Sequence, residues 1–127
     1  MLLVKTFLAP SRIHGVGLFA AQPIKKGAVI WRMHRALDVE LSDQDLESMA
    51  EPAREQVLKY TYVDLVRGTR ILCGDDARFF NHADDPNCHD FPDEHGGTTV
   101  AARDIDEGEE LTSDYALFDA SHVPYGK

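Results

Sequence analysis

Apolar and polar positions along this chain alternate over short stretches and rarely sustain a longer period. Residues 2–7, 16–20, 28–37 and 98–103 read as β-strands, and residues 69–73 as a weaker one. Gly, Pro and Asp punctuate them, as in Pro23 to Gly27 and Glu94 to Gly97. The Gly96-Gly97 pair, between the runs at 87–91 and 98–103, predicts a hairpin. One stretch breaks the pattern, LSDQDLESMAEPAREQVLKYTYVD. Ser42 with Asp45 three residues on predicts a capping box, after which Leu46, Met49 and Ala50 keep helical spacing. Pro52 then suits the first position of a second helix, with Ala53, Val57, Leu58 and Tyr60 forming an imperfect apolar face. The expectation is a mostly β chain with one short helical insert.

Composition narrows the partners. The 22 carboxylates outnumber the 13 Lys and Arg, giving a net charge of −9. That argues against sequence-independent nucleic-acid binding and against an anionic membrane, both of which attract a basic face. It suits a basic partner such as a Lys-rich peptide, and it equally suits solubility alone. Two cysteines, Cys73 and Cys88, give no disulfide framework and point to a reducing compartment. The opening MLLVKTFLAP lacks the basic and continuous apolar regions of a signal peptide, and no run reaches the roughly 18 apolar residues of a membrane span. A cytoplasmic location is expected, nuclear or nucleoid-associated if the substrate is a chromatin protein.

Three short motifs carry candidate chemistry. In SRIHGVGLFA, Gly15 and Gly17 flank Val16, which permits close backbone approach to a ligand; a strand-entry turn is the commoner cause of such a pair. No third glycine and helix follow, which excludes a dinucleotide fingerprint. In RFFNHADDPNC, Asn81 and His82 offer edge hydrogen bonds beside Phe79 and Phe80, a combination suited to a flat heteroaromatic ligand. An Asx-type turn ending at Pro86, with His82 satisfying a backbone carbonyl, explains that stretch as well. In ARDIDEGEELTSDY, residues 106–109 read as a turn, Leu111 as a core anchor and Tyr115 as an aromatic with a polar tip.

Taken together and in this order, the motifs resemble the SET domain, the family of protein lysine methyltransferases that use S-adenosyl-L-methionine. The likeness runs from about Lys5 to Tyr115. It implies one domain over 1–127, with a core at about 5–115, a helical insert at about 42–60 and a tail at 116–127. It implies several small sheets and a C-terminal segment threaded through a loop of earlier chain, against the usual rule of unthreaded connections. Gly15, Val16 and Gly17 would line the methionine part of the cofactor, and Asn81 and His82 would hold its adenosine end. Arg78 and Phe80 would support that pocket, Tyr115 would be catalytic and also touch cofactor, and Asp84 to Pro86 would shape the turn that holds the wall. The helical insert would form one wall of the substrate groove, with Tyr60 and Tyr62 behind it lining the lysine channel and Phe118, with Tyr125, covering it.

The chain departs from the family pattern at Ser113, a position the resemblance places in the substrate channel and where Phe or Tyr is frequent, and at Ala83, where Ser is common. The zinc-binding cysteine tail of many relatives is missing, and Cys88, which matches a zinc ligand there, lacks its partners. Residues 82–95 hold nine His, Cys, Asp and Glu side chains but no recognised metal spacing, so no metal is expected. A homodimer that completes the groove is a further expectation from length. The rival to an enzyme is a SET-like module that binds a basic peptide.

Overall fold

The structure, a computed structural model, describes residues 1–121; Tyr125 of the expected channel cover lies outside them. The described residues form four small sheets. Strands β1 (Thr6–Pro10) and β2 (Val16–Ala20) form an antiparallel pair, with Phe7 opposite and stacked on Phe19. β3 (Val29–Arg32), β8 (Cys88–Phe91) and β9 (Thr98–Ala101) form a sheet in the order β3-β9-β8. β4 (Val39–Leu41), β5 (Thr61–Val63) and β6 (Arg70–Leu72) form another in the order β4-β6-β5. β7 (Asn81–His82) and β10 (Thr112–Ser113) pair in parallel, the arrangement that threads late chain beside earlier chain.

Two apolar clusters hold these sheets, a smaller one of Trp31, Cys73 and Ala77 and a larger one between β2, β3, β8 and β9. Leu18, Ile30, Cys88 and Leu111 are fully buried, and Ile24 and Ile105 join them through a bridge between their segments. Each such Leu or Ile stabilises the fold by roughly 1.5–3 kcal/mol. The alternation in β2 explains its place: Leu18 and Ala20 share the face turned to this cluster, while Phe19 between them points to the other face and stacks on Phe7.

The predicted hairpin is present, with Cys88–Phe91 paired to Thr98–Ala101 and both Gly96 and Gly97 at positive φ. The capping box at Ser42 also forms, opening helix α1 (Asp43–Glu47), whose Leu46 is buried. Helix α2 (Glu51–Tyr60) follows, with Pro52 as its second residue rather than its first. None of its residues is buried, so the apolar face expected from Ala53, Val57, Leu58 and Tyr60 does not pack into a core. The N-terminal strand begins at Thr6, because Leu2 and Leu3 instead bond Asp75 and Ile30. The long run at 28–37 stops being a strand at Arg32. There buried Asp38 accepts the His34 N–H and, with His34, turns the chain back into β4. No helix among the described residues is long and apolar enough to cross a membrane.

Candidate functional site

The site begins where β7 meets β10. Thr112 lies beside Asn81 and Ser113 beside His82, and Ala83 N–H donates to Ser113 O at 3.0 Å. Asn87, buried a few residues on, holds the crossing in place. Its Nδ2 donates to Glu110 O at 2.8 Å and its Oδ1 accepts Thr112 N–H at 2.9 Å. Neither half of this crossing is readable as a strand, since each is two residues long.

Asn81 ties the crossing to the glycine segment. The two hydrogens of its Nδ2 are shared among four acceptors within reach: Glu110 Oε2 at 2.9 Å, His14 O and Ser11 Oγ at 3.1 Å each, and Val16 O at 3.4 Å. Ser11 Oγ–H donates to the Glu110 carboxylate and accepts the Ile13 and His14 N–H groups, so Ser11 closes the loop before Gly15. Gly17 must be glycine here: a Cβ would sit 2.4 Å from Glu110 Oε2. Gly15 has φ +49° and open space around it.

His82 accepts the Tyr115 backbone N–H on Nδ1 at 3.1 Å, which leaves Nε2 as the proton-bearing nitrogen facing Asp84 Oδ1 at 2.9 Å. The imidazole thus receives a backbone N–H, where the turn reading had it satisfy a carbonyl. The Tyr115 O–H donates to Phe80 O, and its ring meets His82 edge to face at 5.3 Å. Burial, with the negative charges of Asp119 and Glu110, pushes the Tyr115 phenol up to about 12. Tyr115 therefore stays neutral and is no base at physiological pH.

Beyond Tyr115 opens a cavity of about 140 Å³. Tyr60, Tyr62, Arg78, Phe80, Ser113, Tyr115 and Phe118 all line it, together with Trp31, Asp90 and Thr99. Phe118 meets Tyr62 edge-on at 5.1 Å and Tyr115 at 5.5 Å. Arg78 donates to Cys73 O at 3.0 Å and lies over the Tyr60 ring at 5.4 Å, so its charge faces the cavity wall rather than Asn81. Gly15, Val16, Gly17, Asn81 and His82 are not among the cavity's lining. They lie on the other side of Tyr115, which touches both groups through His82 and Phe80.

Four residues without an assigned role before emerge as parts of the site: Ser11, Asn87, Asp90 and Glu110. The quoted motifs contain Ser11, Asn87 and Glu110, but their partners are up to 99 residues away. Among the described residues no three His, Cys, Asp or Glu side chains come together as a metal site. Burial pushes the Cys73 and Cys88 thiols up to about 12, which keeps both protonated and poorly suited to nucleophilic attack or metal ligation.

Residues 15–116 match the model of the SET domain. The chain belongs to the SET-domain family. Histone-lysine N-methyltransferase 2D of Homo sapiens and that of Mus musculus are each 29% identical over 117 residues, covering 86% of this chain. This chain spans only 2% of the length of those relatives. A histone methyltransferase candidate of Plasmodium falciparum superposes with a TM-score of 0.65 at 18% identity, covering 99% of this chain and 100% of its own. A Polycomb Repressive Complex 2 chain of Chaetomium thermophilum gives 0.67 at 23% identity, over 93% of this chain and 16% of its own. At those identities the likeness is one of SET fold.

Proposed function

We propose that this SET-domain chain transfers a methyl group from S-adenosyl-L-methionine to a lysine side-chain amine of a protein or peptide. The observation that carries the reading is the position of Tyr115, between the Asn81–Glu110 frame and the aromatic cavity. The frame fits a cationic cofactor. It gathers the Glu110 carboxylate and the His14 and Val16 carbonyls in one place, with open space at Gly15. Gly15, Val16, Gly17, Asn81 and His82 would hold it, with Phe80, Tyr115 and, from the cavity side, Arg78 in support. When bound, the cofactor supplies a methyl group activated by a positively charged sulfonium.

The chain's own residues then have a modest task, to position an amine and exclude water. A lysine has a reference pKa of about 10.4, and an aromatic, desolvated channel lowers it by disfavouring the charged form. Tyr60, Tyr62, Tyr115 and Phe118 supply such walls. With its proton donated to Phe80 O, the Tyr115 oxygen acts toward an amine N–H as an acceptor and so orients the nitrogen. Alignment of this kind contributes several kcal/mol, up to about 10 in favourable cases. The acidic surface, at net charge −9, favours Lys-rich substrates and selects no single one.

Calorimetric titration with S-adenosyl-L-methionine, followed by labelled-methyl transfer to Lys-rich peptides, tests this. Wild-type protein binds, and Tyr115→Phe keeps binding while its turnover falls about a hundredfold. Binding without turnover on any substrate would move the chain to the peptide-binding reading. No binding by well-folded protein would remove the cofactor pocket itself.

A further inference from the structure

The far end of the cavity holds a group that methyl transfer as described does not use. Asp90 on β8 and Thr99 on β9 are paired across the sheet, and both line the cavity beside Ser113. Thr99 Oγ1–H donates to Asp90 Oδ1 at 2.6 Å. Asp90 Oδ2 is buried and has no hydrogen-bond partner among the described residues. Burial raises the Asp90 pKa; the Thr99 and Ser113 hydroxyls, both turned toward the carboxyl, and the charge of His89 oppose that shift, and Asp114 adds to it, while no donor among the described residues reaches Oδ2 with hydrogen-bond geometry.

The other two carboxylates of the lining each hold backbone N–H groups on one oxygen. Asp64 Oδ1 accepts the Val66 and Arg67 N–H groups, and its Oδ2 lies 3.8 Å from Arg67 Nε. Asp119 Oδ1 accepts the Val63 and Ser121 N–H groups and the Ser121 hydroxyl. Two cations line the cavity, and both lie against Tyr60: Arg78 bonds Cys73 O and sits over the ring, and Lys59 Nζ lies 5.4 Å from the ring centroid. An unpaired carboxylate oxygen in a desolvated pocket is costly, and a charged N–H donor is the partner that offsets the cost best. Ser113, buried on β10, offers only a small neutral hydroxyl to the carboxyl and no charged N–H.

We propose that Asp90 is a specificity-determining residue of this pocket: its unpaired Oδ2 accepts an N–H of the entering amine, so the site favours amines that keep an N–H over the fully methylated cation. The inference rests on the reading of the cavity as the amine's entry. A fully methylated nitrogen keeps its charge and its attraction to the aromatic walls but has no hydrogen to give.

The test needs no methyl donor, so it fails or succeeds separately from cofactor binding. Trp31, the single tryptophan, lines the cavity and its Nε1–H is buried, which makes its indole N–H resonance a local reporter. Protein is titrated with n-butylammonium and with n-butyltrimethylammonium, which mimic the free and fully methylated lysine end. We expect n-butylammonium to bind about tenfold more tightly, the value of one hydrogen bond to a charged group. Asp90→Asn keeps the side chain's size and removes a buried charge, so it retains the fold, and the preference collapses toward unity. Asp90→Ala gives the same collapse through a different change of shape. Equal affinities in wild-type protein, no shift with either amine, or a preference that survives in either variant overturns the proposal.

Discussion

The two sides of Tyr115 treat polar atoms in opposite ways. On the Asn81 side the polar side chains bond one another or nearby backbone: Asn81 Nδ2, Ser11 Oγ, the Glu110 carboxylate and Asn87 all have partners. On the cavity side polar atoms stay open, with Asp90 Oδ2 and Trp31 Nε1 buried and unpartnered among the described residues. A satisfied buried network fixes geometry and resists change. An unsatisfied group costs stability unless something arrives to pair with it. The first region is built as a frame, and the second as a receptor.

Breaking the frame has the largest expected effect. Asn81→Ala leaves two backbone carbonyls and the Glu110 carboxylate short of a donor, and we expect a loss of about 3 kcal/mol in urea unfolding. Gly17→Ala comes next. The added methyl meets a carboxylate that Ser11 and Asn81 hold in place, so relief requires breaking their bonds, at about 2 kcal/mol in the same measurement. Asp90→Asn changes the sign and is smaller. The folded-state pKa of Asp90 is raised, so the wild-type fold is disfavoured once pH exceeds the ordinary value of 3.8 and the group must ionise. The variant therefore melts higher than wild type at pH 7, and the gain disappears as pH falls below that value; a melting series across pH checks it. Glu55→Ala, at an exposed position of α2 outside the cavity lining, shifts stability by no more than about 0.5 kcal/mol.

Local signals were legible where local physics decides the outcome. Ser42 with Asp45 caps a helix through bonds three residues apart, and Gly96-Gly97 turns a hairpin, so both could be read directly from sequence. Residues 28–37 misled because apolar content continues past Arg32, while the turn there depends on Asp38 accepting the His34 N–H. Helix α2 misled in the other direction: its apolar spacing has no core to meet. The β7–β10 crossing has no period at all, and only the likeness of three motifs implied that the C-terminal segment threads past earlier chain, as Thr112 does beside Asn81. Asp90 looked like one acid in a polar loop. Its meaning comes from the cross-strand Thr99 and the cavity, which sequence spacing does not encode.

The crossing also sets a timetable for biosynthesis. Asn81 leaves the ribosome 29 residues ahead of Glu110, the carboxylate that its amide will bond. At 5–20 residues per second, a nascent chain therefore carries the glycine segment and Asn81 without their partner for roughly 1.5–6 seconds. Until β10 emerges and slides in beside β7, that half of the site exists only as an unfilled slot that a chaperone, or a misplaced neighbouring strand, can reach first.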